Sequence, residues 1–199
     1  MIISGEEMVI SGAWILAIGS LIEGIGQTKQ SFTGTDLGKD VISNGNAIEA
    51  FGNSLQAVGR TTLLNPESGP PEIYAITGAW LEAAGNTGNA IGIDIALNVS
   101  EEEGVRIDTL GSEVQGLGAA LEGFGAAISA DSSFKTLSVT GNSLISLGSF
   151  LVAMGNIFIM NEKVETGEQI LFIGGWIQVI GSFTMLVAIL IEFSSEETI

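Results

Sequence analysis

Large apolar side chains recur along this chain in a cycle of seven, and glycine holds one fixed place in that cycle. The glycines run Gly5, Gly12, Gly19, Gly26, then Gly38, Gly45, Gly52, Gly59, and the series resumes at Gly78, Gly104, Gly141 and Gly167. It takes in 21 of the 28 glycines. Aligning Gly12, Gly45, Gly78, Gly111, Gly141 and Gly174 gives steps of 33, 33, 33, 30 and 33 residues, so the chain is six copies of one unit. Seven residues return almost to the same line on an α-helix, drifting about 20° per heptad. In a strand an odd period would alternate faces and mark no surface.

With glycine at heptad position a, positions d and g hold large apolar residues such as Ile15, Ile48, Leu81, Ile18, Phe51 and Leu117. Position f is small (Ala17, Ala50, Ala83, Gly116, Ser146), and b is small and often polar (Asn46, Asn53, Asn86, Asn142, Ser149). Position e is polar in the middle units: Glu49, Gln56, Glu82, Asn89, Gln115, Glu122. Around the wheel the order is a, e, b, f, c, g, d. An apolar arc (c, g, d) is therefore flanked by a glycine seam and an alanine seam, and a polar e/b strip lies opposite. The expectation is that c, g and d form the core and that e/b faces solvent.

These patterns predict an all-α fold of six long antiparallel helices, near 5–29, 37–60, 71–98, 101–129, 132–160 and 164–195. At 1.5 Å per residue each is roughly 40 Å long. Short connections make consecutive helices antiparallel neighbours. The chain reads as a single helical repeat domain, 1–199, with units 5–37, 38–70, 71–103, 104–133, 134–166 and 167–199. Ser4-Gly5-Glu6-Glu7 and Ser100-Glu101-Glu102-Glu103 are capping boxes with acids at the positive helix end. Asp36, Asp131 and Thr166 are candidate caps of the second, fifth and sixth helices. The stretch Leu63 to Pro71 is the clear breaker. Asn98-Val99-Ser100 matches a glycosylation sequon but is better explained as the cap of the fourth helix.

Interior helical glycines cost roughly 1 kcal/mol each relative to alanine, and isolated helices are marginal even without them. Helices bearing three or four of them persist where a neighbouring backbone needs the space. Gly12, Gly19, Gly45, Gly52, Gly78, Gly85, Gly111, Gly118, Gly141, Gly148, Gly174 and Gly181 are therefore the expected helix-contact residues.

Composition narrows function mostly by exclusion. Net charge is −17, and six basic residues make no patch, which argues against nucleic acid, whose phosphates need neutralising. With no cysteine and no histidine, the usual zinc and haem ligands are missing and no metal or other cofactor is expected. No GxxxxGK[ST] or strand-borne G-x-G-x-x-G occurs. Glu23, Glu49, Glu82 and Glu122 fall on position e and Glu113 on c. They read as a solvated face, not as a catalytic dyad, which needs a cleft and opposed pKa values. No catalytic residue and no small-molecule substrate is indicated.

Units one, five and six are the most apolar. From Ile170 to Phe193 the only strongly polar side chain is Gln178, a stretch long enough to span a bilayer. Against full insertion stand the mid-helix Glu49, Glu82, Glu113 and Glu122, each costly at bilayer depth unless paired. Four basic residues on one side (Lys29, Lys39, Arg106, Lys163) against two on the other (Arg60, Lys135) fix no orientation. The N-terminus has no basic n-region and does not read as a secretory signal, which leaves a cytoplasmic or membrane- or assembly-associated location. Trp14, Trp80 and Trp176 share one place, nine residues into their units, and are candidate anchors between protomers.

The recurring G-x-W-[IL] core at Gly12-Ala13-Trp14-Ile15 and Gly78-Ala79-Trp80-Leu81, with Gly52-Asn53-Ser54-Leu55-Gln56-Ala57-Val58-Gly59, resembles the repetitive glycine-heptad proteins of Bacillus-type bacteria. That resemblance implies a bacterial source and carries no activity with it. The leading expectation is a non-enzymatic structural protein that self-assembles through its small-residue seams and apolar end units, since repeat arrays need polar caps to stay monomeric. Its partner would be itself, as a homo-oligomer or filament. The alternative is a membrane-inserting or pore-like protein whose e/b strips line a polar lumen.

Overall fold

The computed structural model describes residues 3–33 and 36–196, the last two by backbone alone. Six helices follow in order: α1 (Gly5–Thr33), α2 (Asp36–Thr62), α3 (Pro70–Asn98), α4 (Glu101–Ile128), α5 (Lys135–Met160) and α6 (Val164–Glu196). The fold is all-α. Residues 34–35 of the first unit and 197–199 of the sixth lie outside the described residues.

Ser4 caps α1 in both directions: its Oγ accepts from the Glu7 N–H at 3.1 Å, and its own N–H donates to Glu7 Oε2 at 2.8 Å. Ser100 Oγ accepts from the Glu103 N–H at the start of α4. At α3 the Gly69 N–H donates to Glu72 Oε2 at 2.8 Å. Asp131 and Thr166 do not cap. Asp131 lies before Phe134, the cap residue that precedes α5, and pairs with Lys135, while Thr166 is already inside α6. Asp36 is the first residue of α2 and pairs with Lys39.

Each helix packs on its neighbours in sequence, and α6 closes against α1, so the six form a ring. Two kinds of seam alternate around it. Within the hairpins α1/α2, α3/α4 and α5/α6, glycines at position a face the partner's backbone. A Cβ on Gly12 would lie 2.6 Å from Gly52 O, and one on Gly52 would lie 2.7 Å from Leu16 N. Between hairpins, position f makes the contact. Ser43 Oγ donates to Ala90 O at 3.2 Å across α2/α3, and Ser146 Oγ donates to Gly116 O at 2.9 Å across α4/α5. Gly24 meets Val179 across α1/α6.

This closure inverts the expected sidedness. Positions e and b are buried toward the ring axis, and c, g and d are turned outward. Geometry explains why. At 100° per residue, seams a and f stand about 140° apart on the e/b side and about 220° apart on the other. In a closed ring of six, each helix meets its two neighbours at about 120° as measured on the inner side, so the narrower arc must face in. A ring sealed through both seams therefore puts its polar strip inside and its large apolar side chains outside.

Candidate functional site

The ring interior is polar through its middle. Buried there are Asn46, Asn53, Asn86, Asn89, Gln115, Asn142, Ser149 and Gln178, with Glu23, Glu49, Glu82 and Glu122 at 3%, 1%, 2% and 7% exposure. The four carboxyls are thus interior groups, contrary to the solvated face expected of them. Glu113, on the outward position c, is the exposed one.

The glycine seams set the pairing of these side chains. Gly19 packs on the backbone of Glu49, and Gly45 packs on that of Glu23. Each glutamate stands one wheel position inside its own seam, so the two carboxyls come within hydrogen-bonding reach of each other. In the same way Gly78 packs on Glu122 and Gly118 on Glu82, and these carboxyls also come within reach of each other. Gly85 and Gly111 bring Gln115 and Asn89 together, and Asn89 Nδ2 donates to Gln115 Oε1 at 3.3 Å. All twelve of the expected contact glycines, including Gly141, Gly148, Gly174 and Gly181 in α5/α6, lie in these hairpin seams. A Cβ at each would fall under 3.0 Å from a backbone atom of the partner helix.

An amide belt crosses the ring at mid-height. Asn89 Nδ2 donates to Asn46 Oδ1 at 3.1 Å, Gln115 Nε2 donates to Gln178 Oε1 at 2.8 Å, and Ser149 Oγ donates to the same oxygen at 3.3 Å. Gln115 and Gln178 belong to α4 and α6, so the belt ties together helices whose backbones do not touch. Some buried polar atoms have no protein partner: Glu23 Oε2, Glu49 Oε1, Gln27 Oε1, Asn53 Nδ2 and both side-chain polar atoms of Asn86.

Two cavities flank the belt. The larger, about 860 Å³, opens where α1, α3 and α5 end, and all six helices line it. Its wall includes Gln27, Gln30 and Asp108, and it carries five acidic side chains against Lys39. Asp108 Oδ2 accepts from Asn156 Nδ2 at 2.7 Å. The smaller, about 280 Å³, lies at the opposite end. It reaches Glu122 and Asn142 beside Arg60 and Glu192, whose side chains pair at 4.0 Å. Beside it the ring is filled by an apolar cluster that includes Val9, Ala13, Ile145, Met185 and Ile189.

The three tryptophans do not share one side. Trp14 and Trp80 stand on the outer surface toward the end where α1 and α3 begin, 47% and 46% exposed. Trp176 is half-buried toward the other end, where its Nε1 donates to Thr28 Oγ1 at 2.9 Å across the α1/α6 closure. The amides Asn46, Asn89, Gln115 and Gln178 and the acid Asp108 were not among the expected site residues. The signal was present in their type: the e/b strip is rich in Asn, Gln and Ser, and its basic residues, Lys39, Arg60 and Lys135, lie only in terminal turns, unlike a strip bathed in water.

No curated protein and no solved structure matches the chain. Residues 7–186 match the family of unknown function DUF6944, and the chain belongs to that family.

Proposed function

We propose that this protein is an integral membrane protein whose closed helical ring spans the bilayer, with a polar, hydrogen-bonded interior shielded from lipid. The observation that carries this reading is the outer surface. Among the described residues, α1, α2, α3, α5 and α6 each present about 20 residues of outward face without a charge, roughly 30 Å at 1.5 Å per residue. The hydrocarbon core of a bilayer is about 30 Å thick. Exposed apolar side chains occur on every helix: Ile18, Phe51, Trp80, Leu117, Leu147 and Ile180. Ionisable groups at bilayer depth face a bundle interior, as the four glutamates do here. On α4 the exposed Glu113 interrupts the band.

Three helices, α1, α5 and α6, are long and apolar enough to cross a membrane by length and composition. They are consecutive around the ring. The other three fall short because their inward faces carry three of the four buried glutamates and most of the amides, while the outward faces of α2 and α3 remain apolar. Soluble self-assembly accounts for this surface less well. A second copy covers one side of a ring, whereas the apolar band runs around the whole circumference.

Trp14 and Trp80 test the reading directly. In vesicles of brominated phospholipid their fluorescence should fall by more than half relative to unbrominated vesicles. Equal emission in the two lipids would remove the membrane reading and restore soluble assembly. Because the amide belt closes the centre, vesicles carrying the protein should retain an entrapped dye such as calcein.

A further inference from the structure

The four buried glutamates form a line from one cavity to the other. Glu122 lines the smaller cavity and lies within hydrogen-bonding reach of Glu82. Glu82 acts electrostatically on Glu49, and Glu49 lies within hydrogen-bonding reach of Glu23. Glu23 lies one helical turn before Gln27, which lines the larger cavity, as does Asp108 within electrostatic reach of Glu23. The line thus passes α4, α3, α2 and α1 in turn. We propose that it is a proton path through the ring, carrying protons between the two vestibules while the amide belt excludes larger solutes. This deepens, and rests on, the membrane reading.

Three features beyond the acids themselves point to protons. First, a carboxylate has no hydrogen to donate, so two buried carboxyls within reach of each other can bond only by holding a proton between them. The oxygens left without a donor, Glu23 Oε2 and Glu49 Oε1, belong to one such pair. Second, the line begins and ends at cavities on opposite faces, and both are acidic on balance: five acids against Lys39 at one, four against Arg60 and Lys135 at the other. Such mouths concentrate cations. Third, among the described residues no three acidic side chains converge to hold a metal ion. In each step an O–H bond on one carboxyl breaks as one forms on the next carboxylate. One proton entering at Glu122 releases one from Glu23 toward Gln27 and Asp108, and nothing is oxidised or reduced. The charged groups facing the line are Arg60 and Glu192 at Glu122, and Asp108 at Glu23.

The full chain would be reconstituted into vesicles loaded with pyranine, and a potassium gradient with valinomycin would drive protons inward. Lumenal pH should fall at least tenfold faster than in empty vesicles. Glu49→Gln and Glu82→Gln should each lower that rate tenfold or more, and the outward Glu113→Gln should leave it unchanged. The same vesicles would be washed with carbonate and floated. Protein that floats but acidifies no faster than empty vesicles overturns the path and leaves the membrane reading intact. Equal fluxes for wild type and both interior variants, with all three afloat, overturn it as well. Protein that does not float removes both readings.

Discussion

Adding one methyl group at Gly85 should loosen the α3/α4 hairpin. A Cβ there would lie 2.5 Å from Gln115 N, 2.6 Å from Gly111 O and 2.8 Å from Gln115 Cα. All three are backbone atoms, so no side chain can swing aside and the helices must part. Overpacking of this kind costs about 1–3 kcal/mol, with the upper end expected where the obstacle is backbone. Against it stands the helix propensity gained on replacing glycine by alanine, about 1 kcal/mol. The net expectation for Gly85→Ala is a loss of about 2 kcal/mol. For a chain of this length that lowers the thermal midpoint by about 4–8 °C. Gly88, one turn away on the outward side, is the control. Its added Cβ would meet only Gly111, at 3.3 Å from the Cα, so Gly88→Ala should melt within a few degrees of wild type or above it. Circular dichroism melts in a mild detergent suffice. A Gly85→Ala variant that melts higher than Gly88→Ala would refute the close-packing account of the glycine series. Leucine at Gly52 or Gly85 should be more damaging than alanine at either.

Gln178→Leu should cost about 1–3 kcal/mol, because Gln115 Nε2 loses its acceptor in a buried place while Ser149 Oγ keeps Ile145 O; the same melts read it. Glu162, in the turn between α5 and α6, has φ of 62°, a left-handed conformation that costs a non-glycine residue roughly 1–2 kcal/mol. Glu162→Gly should therefore raise the melting midpoint, and a lower one would contradict that backbone geometry. Glu113→Leu removes the exposed charge from the outer band of α4. In bilayers it should increase the carbonate-resistant fraction, by about 2 kcal/mol of insertion free energy, whereas a soluble protein given the same change should aggregate.

The helices and their ends were legible because heptad glycine and capping serines act locally. Six expected spans correspond to α1 through α6, and the two capping boxes at Ser4 and Ser100 place their serines as expected, that at Ser4 bonding in both directions. Sidedness was not read correctly, since the wheel fixes the order of its strips without saying which strip faces in. That choice depends on whether the chain closes into a ring, a property of the α6/α1 contact through Gly24, Val179 and Gly175 with no local signature. Once closure is assumed, the carboxyl pairs follow from register. An antiparallel hairpin that sets Gly19 against Glu49 must also set Gly45 against Glu23, which leaves the two glutamates about one turn apart on a diagonal across the seam, and the same arithmetic on Gly78 and Gly118 places Glu122 and Glu82. The pairing was thus encoded in the glycine spacing, hidden by the assumption that carboxyls face water.

Hydropathy misreads this chain for a related reason. A window average sums inward and outward faces, so it finds α1, α5 and α6, whose inward position e includes Leu16, Ile145, Val152 and Met185. It passes over α2, α3 and α4, whose e positions include Glu49, Gln56, Glu82, Asn89, Asp108, Gln115 and Glu122. Yet the outward faces of the two groups are alike: Phe51 and Leu117 stand at position g, where Ile18, Leu147 and Ile180 stand, and Trp80 is exposed at position c. What differs is chemistry inside the ring, apolar on the α5–α6–α1 side at one end and acid-bearing along α1 to α4. A water-soluble bundle would not gain by concealing four carboxyls while exposing its largest apolar side chains on every helix. In a bilayer both choices are favourable at once, because lipid rewards the outside and the carboxyls supply one another's hydrogen-bond partners within. The division of labour between the two halves then has a simple form: one half gives the ring its apolar packing, and the other carries the line of exchangeable protons.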